Sequence, residues 1–378
     1  MEKITLTINL GSSSKRYSLY KGDEVFAEAH FEHGKGEFIV TYDKGEPQEI
    51  SETDFKDSLS VFYKKAGDDS YVSIIGIRVV APGQYFTDDY IIDQEFLLKL
   101  SEVVKLDQTH IEPVQNELLS VAKMFPDTKV IAVSDSRFHK TMTEVARIYA
   151  IPAELAKEKD LYRFGFHGLS LSNVVKTLSL SPKGIREKVI VCHLGSGASV
   201  TALLSGKSVD TSMGYSPLEG LVMSSRVGNI DVGAVLRLAE DNKPDVLQEM
   251  FYEESGLLAI SEISNDMRVL LEAEKSGNSK AHLAVETFVY NIKKYVGAYA
   301  SVLGGVDVII FSGTIGERSG PIRERVCKGL EWLNVNIDME KNLNAKSGDG
   351  ISKEGVAIYV IASDESQEIL ERAITALG

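Results

Sequence analysis

Two stretches of this chain read as partial copies of one another, and that repetition constrains the fold more than any other feature. An apolar run, Val189 to Val191, leads into Cys192-His193-Leu194-Gly195-Ser196-Gly197-Ala198-Ser199-Val200. Near the N-terminus, an alternating segment from Ile4 to Ile8 leads into Asn9-Leu10-Gly11-Ser12-Ser13-Ser14. Each runs as strand, Leu-Gly-Ser, small polar residues, then a second strand-like stretch. The glycines permit a tight turn and close backbone approach. Such a turn points successive N–H groups outward into a concavity that binds phosphate. A lone Gly-Ser-Gly reads equally as an ordinary hairpin turn. Two Leu-Gly-Ser turns, each behind a strand, imply a duplicated domain whose two lobes face a shared cleft.

The chain of 378 residues is long enough for two domains at about 150 residues each. The formal charge of −14 disfavours nucleic acid or an anionic membrane as partner, since both reward clustered Lys and Arg. An anionic small substrate stays open, because a local Arg pair outweighs the global charge within a Debye length of about 8 Å. Cys192 and Cys327 lie far apart with no metal-ligand spacing, and read as buried free thiols in a reducing compartment. No secretory apolar segment follows Met1-Glu2-Lys3, and no run approaches the ~20 residues that span a bilayer. A cytoplasmic location is therefore expected.

Along the chain, strands are expected at 4–9, 16–20 and 24–31, and a helix at 52–65. The run from Ile74 to Val80 is apolar except for Arg78, a residue almost never buried unpaired. Arg78 therefore faces either a bound anion or an intramolecular salt-bridge partner. Helices are expected at 94–106 and 112–124 with His110 between them, and a strand at 129–133. Asp135 follows that strand, as either the cap of a helix over 136–148 or a functional carboxylate. Ile151-Pro152 marks the expected domain boundary. His167 lies between Gly165-Phe166 and Gly168, as either a hydrogen-bonded packing residue or part of a site-lining loop. Arg226, among small residues, suits bidentate contact with carboxylate or phosphate. Helices are expected at 231–240, 244–252, 264–275 and 279–302. A strand at 306–311 ends in Ser312-Gly313-Thr314-Ile315-Gly316-Glu317, a third Gly-rich turn where nucleotide can lie. The polar stretch 337–354 reads as a surface excursion. A last strand, 356–361, precedes a helix opened by Ser363-Asp364-Glu365, where Glu365 complements the helix dipole or serves the site.

These segments, together with Asp210-Thr211-Ser212-Met213-Gly214 and Pro217-Leu218-Glu219-Gly220, resemble in order the motif series of acetate kinases and related short-chain carboxylate kinases. The resemblance runs from residue 4 to about 374. It implies an α/β protein with two duplicated actin-like ATPase (ribonuclease H-like) lobes around a central cleft. The N-terminal lobe, 1–150 completed by a C-terminal helix at 364–378, would be the carboxylate side. The lobe 151–363 would carry the nucleotide and phosphate side and the contacts of a homodimer. The implied reaction is reversible, in-line phosphoryl transfer between ATP/ADP and acetate or a similar short carboxylate, giving an acyl phosphate, with Mg2+.

By position, the resemblance assigns catalysis to Arg78, Asp135, His167 and Arg226. It assigns Asn9 and Glu365 to the metal, with Glu365 acting through water. Val80, Thr109, Phe166 and Pro217 would line the acyl pocket. Asn9, Ser12, Ser14, Arg16, His193, Gly195, Ser196, Gly197, Asp266, Met267, Arg268, Gly313, Thr314, Ile315 and Gly316 would bind nucleotide. The chemistry suits these residues, because phosphoryl transfer asks for positioning and charge neutralisation rather than covalent help.

Several positions depart from the family pattern. Ile77 and Ala81-Pro82-Gly83 flank Arg78 where the family has histidines, and Thr109 replaces a pocket leucine. On the nucleotide side, Ser196 replaces Asn, Thr314 replaces Gly, Arg318 replaces Asn and Met267 replaces Phe. Thr314 adds a β-branched side chain where backbone approaches the adenosine. This leaves pyrophosphate, phosphate or another nucleotide open as donor. It also motivates an alternative function: a catalytically weak phosphate- or nucleotide-binding relative acting as a sensor or partner protein.

Overall fold

The computed structural model describes residues 4–377 apart from 12–13, 35, 44, 67–70, 107, 181–183 and 185, with side chains left out at 106 and 108–110. The described chain forms two compact units, Met1–Arg137 with Asp364–Gly378, and Phe138–Ser363.

In the first unit, strands β1 (Ile4–Leu10), β2 (Ser14–Lys21), β3 (Glu24–Gly34), β4 (Glu37–Tyr42), β5 (Gln48–Glu49), β6 (Val72–Val79), β7 (Tyr90–Ile91) and β8 (Lys129–Ser134) form one sheet. Their order is β5-β4-β3-β2-β1-β6-β8-β7. β1 is antiparallel to β2 and parallel to β6, and β6 is parallel to β8. Leu6, Ile8, Ile75 and Ile77 are buried from solvent, as the apolar runs require. The C-terminal helix Glu365–Thr375 packs on β1, β6 and β8, and it comes close to the sheet at Gly76. A Cβ there would lie 2.7 Å from Ile369 Cγ2 and 2.9 Å from Ala373 Cβ.

In the second unit, β9 (Lys188–Leu194), β10 (Ala198–Leu204), β11 (Lys207–Thr211) and β12 (Val308–Ser312) come first along the chain. A small hairpin of β13 (Val335–Ile337) and β14 (Ser352–Gly355) precedes β15 (Ala357–Val360). The main sheet runs β11-β10-β9-β12-β15. β9 is antiparallel to β10 and parallel to β12, which is parallel to β15. This matches β3-β2-β1-β6-β8 of the first unit in both order and direction. The repeated sequence pattern is thus a repeated topology: two antiparallel hairpins, then two parallel crossovers. Leu194-Gly195-Ser196 runs from the end of β9 into its hairpin turn, and Leu10-Gly11 closes β1 ahead of β2 in the same way.

Several expectations are corrected. The break between units lies at Arg137/Phe138 rather than 150/151. His139 contacts Ser208 Oγ at 2.8 Å and the Phe166 carbonyl at 2.9 Å, and Thr141 Oγ1 donates to the Ser208 carbonyl, so this segment belongs with the second sheet. Instead of one helix over 136–148 there are a 3-10 turn, Arg137–Thr141, and a short helix, Glu144–Arg147. His110 falls inside the helix Gln108–Met124, which absorbs Pro113, rather than between helices. The stretch 337–354 is not merely a surface excursion. Its helix Met339–Leu343 buries Asn342, whose Oδ1 accepts from Arg323 Nε at 2.8 Å. Arg323 also donates to the Gly316 and Glu317 carbonyls, each at 2.8 Å, closing the helix that follows β12. Cys192 and Cys327 are free and buried, and burial pushes the Cys327 thiol up to about 12.

Gly76→Ala is expected to lift the C-terminal helix from the sheet and cost about 1–3 kcal/mol, the usual range for overpacking. Urea unfolding with an unchanged m-value measures it.

Candidate active site

In the first unit the carboxyl ends of three adjacent parallel strands supply the polar groups, the position at which such sheets bind ligands. Asn9 is near the end of β1, Arg78 near the end of β6, and Asp135 directly follows β8. Arg78 Nη2 lies 3.0 Å from Asp135 Oδ2, while Nη1 lies 3.3 Å from Glu365 Oε2 and 3.2 Å from Asn9 Oδ1. Asn9 Nδ2 donates to Glu365 Oε2 at 2.8 Å. The side chains of Arg78, Asp135 and Glu365 are 12%, 0% and 17% exposed. Burial alone would lower Arg78; the Asp135 and Glu365 carboxylates outweigh it and hold the guanidinium above its ordinary value. Arg78 therefore has intramolecular carboxylate partners. Its Nε is buried without a hydrogen-bond partner.

The cap reading of Asp135 does not hold. Ser134 Oγ accepts the N–H groups of Ser136 and Arg137, at 3.2 and 3.1 Å, leaving the Asp135 carboxylate on Arg78. Asp364 caps the last helix by accepting from Gln367 N, and Glu365 stands in its first turn. The sequence reading missed the support behind this cluster. Asp89, nearly fully buried, is bonded by Arg137, Arg372 and the backbone N–H of Ser134, and Arg372 also donates to the Ser134 carbonyl at 2.9 Å. The signal available was an acidic pair, Asp88-Asp89, preceding a two-residue strand, which by itself says nothing.

Val80 is buried immediately after β6. Ser14 opens β2, and Arg16 on β2 is exposed and opposite Asn9 in register. Ser12 and the side chain of Thr109 lie outside the described residues.

In the second unit His167 has φ +62° at the head of the helix Gly168–Ser179. Its Nδ1 is 3.0 Å from Ser199 Oγ, and its ring centroid is 4.4 Å from that of His193. His193 Nδ1 is 2.7 Å from Ser170 Oγ. A Cβ on Gly197 would stand 3.1 Å from His167 Nε2 and 3.5 Å from Arg226 Nη1, so His167 and Arg226 converge on the turn between β9 and β10. Arg226 is buried, 5.8 Å from the Tyr252 ring centroid. Its loop is fastened to the turn by Ser224 N donating to the Ser196 carbonyl at 3.1 Å. Gly256, at φ +65°, makes this possible, since a Cβ there would meet the Met223 carbonyl at 2.2 Å and the Arg226 carbonyl at 2.8 Å.

Gly313, at φ +73°, crosses close behind the same turn, where a Cβ would be 2.6 Å from the Leu194 carbonyl. It opens the helix Gly313–Arg318, with Thr314 exposed, Ile315 half-buried and Gly316 buried. Thr314 Oγ1 lies 3.5 Å from the ideal Cβ position of Gly195. Asp266 caps the helix Met267–Lys275 and pairs with the Arg268 side chain, while Met267 is buried beneath. Phe166 and Pro217 are buried in this unit. The Pro217-Leu218-Glu219-Gly220 motif is a brace here, with Glu219 bonded by Tyr149 at 2.5 Å and Arg163 at 3.1 Å. The cluster Glu274, His282 and Glu286 is spanned by Arg325, an ion-pair network on the surface.

A model of the acetokinase family matches residues 4–371. The chain belongs to the acetokinase family. An acetate kinase of Brachyspira hyodysenteriae is 37% identical over 96% of this chain and 97% of its own length, and that of Clostridium beijerinckii is 35% identical over 97% of each. Among solved structures, an acetate kinase of Porphyromonas gingivalis aligns over the full length of both chains with TM-score 0.86 at 31% identity. A propionate kinase of Francisella tularensis aligns over 99% of both, with TM-score 0.89 at 31% identity. A member of this family is a phosphotransferase with a carboxyl-group acceptor.

The first-unit cluster fits the metal the family implies. Two carboxylates face one guanidinium, an excess of negative charge, and Asn9 and Glu365 offer oxygen ligands, the type magnesium takes.

Gly197→Ala is expected to press a methyl on His167 Nε2 and lower phosphoryl transfer by about 10²-fold, as small misplacements in such sites do. Its melting temperature should stay near wild type. Parallel kinetics and thermal melts check it.

Proposed function

We propose that this protein is a carboxylate kinase that transfers a phosphoryl group reversibly and in line between ATP/ADP and acetate or a similarly short carboxylate. The observation that carries the reading is the match of the acetokinase family model to residues 4–371, in a chain that has Asn9, Arg78, Asp135, His167, Arg226 and Glu365 where the sequence resemblance expects them. A substrate carboxylate oxygen attacks the terminal phosphorus, its O–P bond forms as the bond to ADP breaks, and ADP leaves with the electron pair. The carboxylate is already ionised near pH 7, so no general base is needed.

In this reading Arg78, held between Asp135 and Glu365, and Arg226, held over Tyr252, each neutralise charge on the phosphoryl group. His167 donates to it. Val80 in the first unit and Phe166 and Pro217 in the second are the residues assigned to the acyl group, and Ser196, Gly313 and Thr314 those assigned to the nucleotide. Asn9 and Glu365 would hold Mg2+, which when bound supplies further charge neutralisation.

We also take the protein to act as a cytoplasmic homodimer. The helix Val232–Ala239 has no buried residue, and Val232 and Leu236 are 71% and 64% exposed. A second copy would cover them. The exposed Thr314 beside the Gly195 turn, and the exposed Arg318 at the end of the same helix, keep pyrophosphate or phosphate in view as donor.

Hydroxylamine trapping of acyl phosphate, with a panel of short carboxylates and of donors, tests the proposal. Hydroxamate should form with acetate or a near homologue and ATP, and Arg78→Ala or Arg226→Ala should each lower the rate roughly 10²–10³-fold, as loss of a transition-state donor does. No hydroxamate with any donor would leave the binding-protein alternative standing.

A further inference from the structure

Three buried histidines of the second unit share one unusual partner type. His139 supplies the reference. Its Nε2 lies 2.9 Å from the Phe166 carbonyl oxygen and its Nδ1 lies 2.8 Å from Ser208 Oγ. A carbonyl only accepts, so a neutral His139 ring carries its proton on Nε2 and the Ser208 hydroxyl donates to Nδ1. The same serine-to-Nδ1 arrangement recurs at His167 with Ser199, at 3.0 Å, and at His193 with Ser170, at 2.7 Å.

The choice of a hydroxyl matters. Histidines that act through Nε2 as base or metal ligand commonly give Nδ1–H to a carbonyl or carboxylate, which can only accept. That leaves Nε2 bare. A hydroxyl can donate to Nδ1 and leave the proton on Nε2. At His167, Nε2 is the edge that faces Gly197, 3.1 Å from where a Cβ would stand, with Arg226 Nη1 3.5 Å from the same point. A phosphoryl oxygen is an acceptor, so a neutral ring can bond it from that edge only as the Nε2–H form.

We propose that Ser199 is a positioning residue that fixes His167 as its Nε2–H tautomer, so that the ring acts beside Arg226 as a hydrogen-bond donor to the transferring phosphoryl group. This rests on the carboxylate-kinase reading. The architecture holds the orientation of the ring. His167 and Ser170 belong to one segment, the turn and first turn of the helix Gly168–Ser179; His193 and Ser199 belong to the other, β9 and β10, opposite each other in register. Each segment gives a ring and receives a hydroxyl. Ser170 and Ser199 are fully buried, and the two rings, 37° apart in plane, brace one another. Rotating either ring breaks its own serine bond and the contact with the other.

Imidazole-nitrogen NMR on isotope-labelled protein, with His167 assigned through His167→Gln, reads the tautomer without substrate. The wild-type ring is expected to be neutral with its proton on Nε2. Ser199→Ala should mix the tautomers and lower kcat roughly 10- to 100-fold, a part of the 10²–10³ that a transition-state donor supplies. Its KM for nucleotide should be unchanged, and Ser199→Thr, which keeps the hydroxyl, should restore both tautomer and rate. A wild-type ring protonated on Nδ1, or on both nitrogens, overturns the proposal. So does a Ser199→Ala variant with wild-type kcat. Should that variant fail to fold, the wild-type spectrum and the Ser199→Thr kinetics decide. Absence of acyl hydroxamate from wild-type protein would sink the kinase reading, while the spectrum would still decide the tautomer.

Discussion

A buried guanidinium needs partners, and the first unit is built around meeting that need at Arg78. Taking an isolated charge out of water costs several kcal/mol even after relaxation. Two carboxylates offset it, one from 57 positions along the chain and one from 287, brought in by neighbouring strands and by the C-terminal helix. The helix can come that close because β6 carries Gly76 where a side chain would collide with Ile369. Its far end is held by Arg372 on Asp89 and on the Ser134 carbonyl, so the turn carrying Asp135 is fixed from behind. Such a cluster is poor as a source of stability, since apolar packing of equal volume does as well. Its value lies in holding a charge, with a buried Nε to spare, in one orientation.

The second unit reaches a similar end by different means. Around the turn between β9 and β10, backbone approaches backbone. Gly197, Gly256 and Gly313 each stand where a Cβ would meet a ring nitrogen, two carbonyls or the next strand. Glycine loses more freedom on folding than any other residue. Three of them around one turn mark a place where close approach outweighs that cost. The equivalent sheet positions thus carry an ionic cluster in one unit and a glycine-lined, histidine-bearing turn in the other.

Legibility followed the range of the interactions. The two Leu-Gly-Ser repeats could be read because a hairpin turn is written in consecutive residues; the parallel strands beside them complete the matching orders through crossovers. Arg78 stood out as a charge inside an apolar run. Whether it met a substrate or a partner, and whether Asp135 capped a helix, were not readable, because Asp135 and Glu365 reach it only through strand register and helix docking. Asp89, Arg137, Arg372 and Arg323 gave no local signal, since each bonds to groups that only folding brings near. The boundary misplaced at 150 has the same origin. Ile151-Pro152 is a local break, whereas His139 and Thr141 bind Ser208, some seventy residues on.

The sequence by itself determined the α/β class, the duplication, the family and the residue types available for phosphoryl chemistry, since periodicity, turn glycines and motif order are local properties of the chain. Only the tertiary structure decided which carboxylates hold Arg78, that Ser134 rather than Asp135 closes its turn, and that Ser199 meets His167 and Ser170 meets His193. Those are choices of hydrogen-bond partner across sheet and helix, and a partner is a matter of distance in space, which the order of residues does not state.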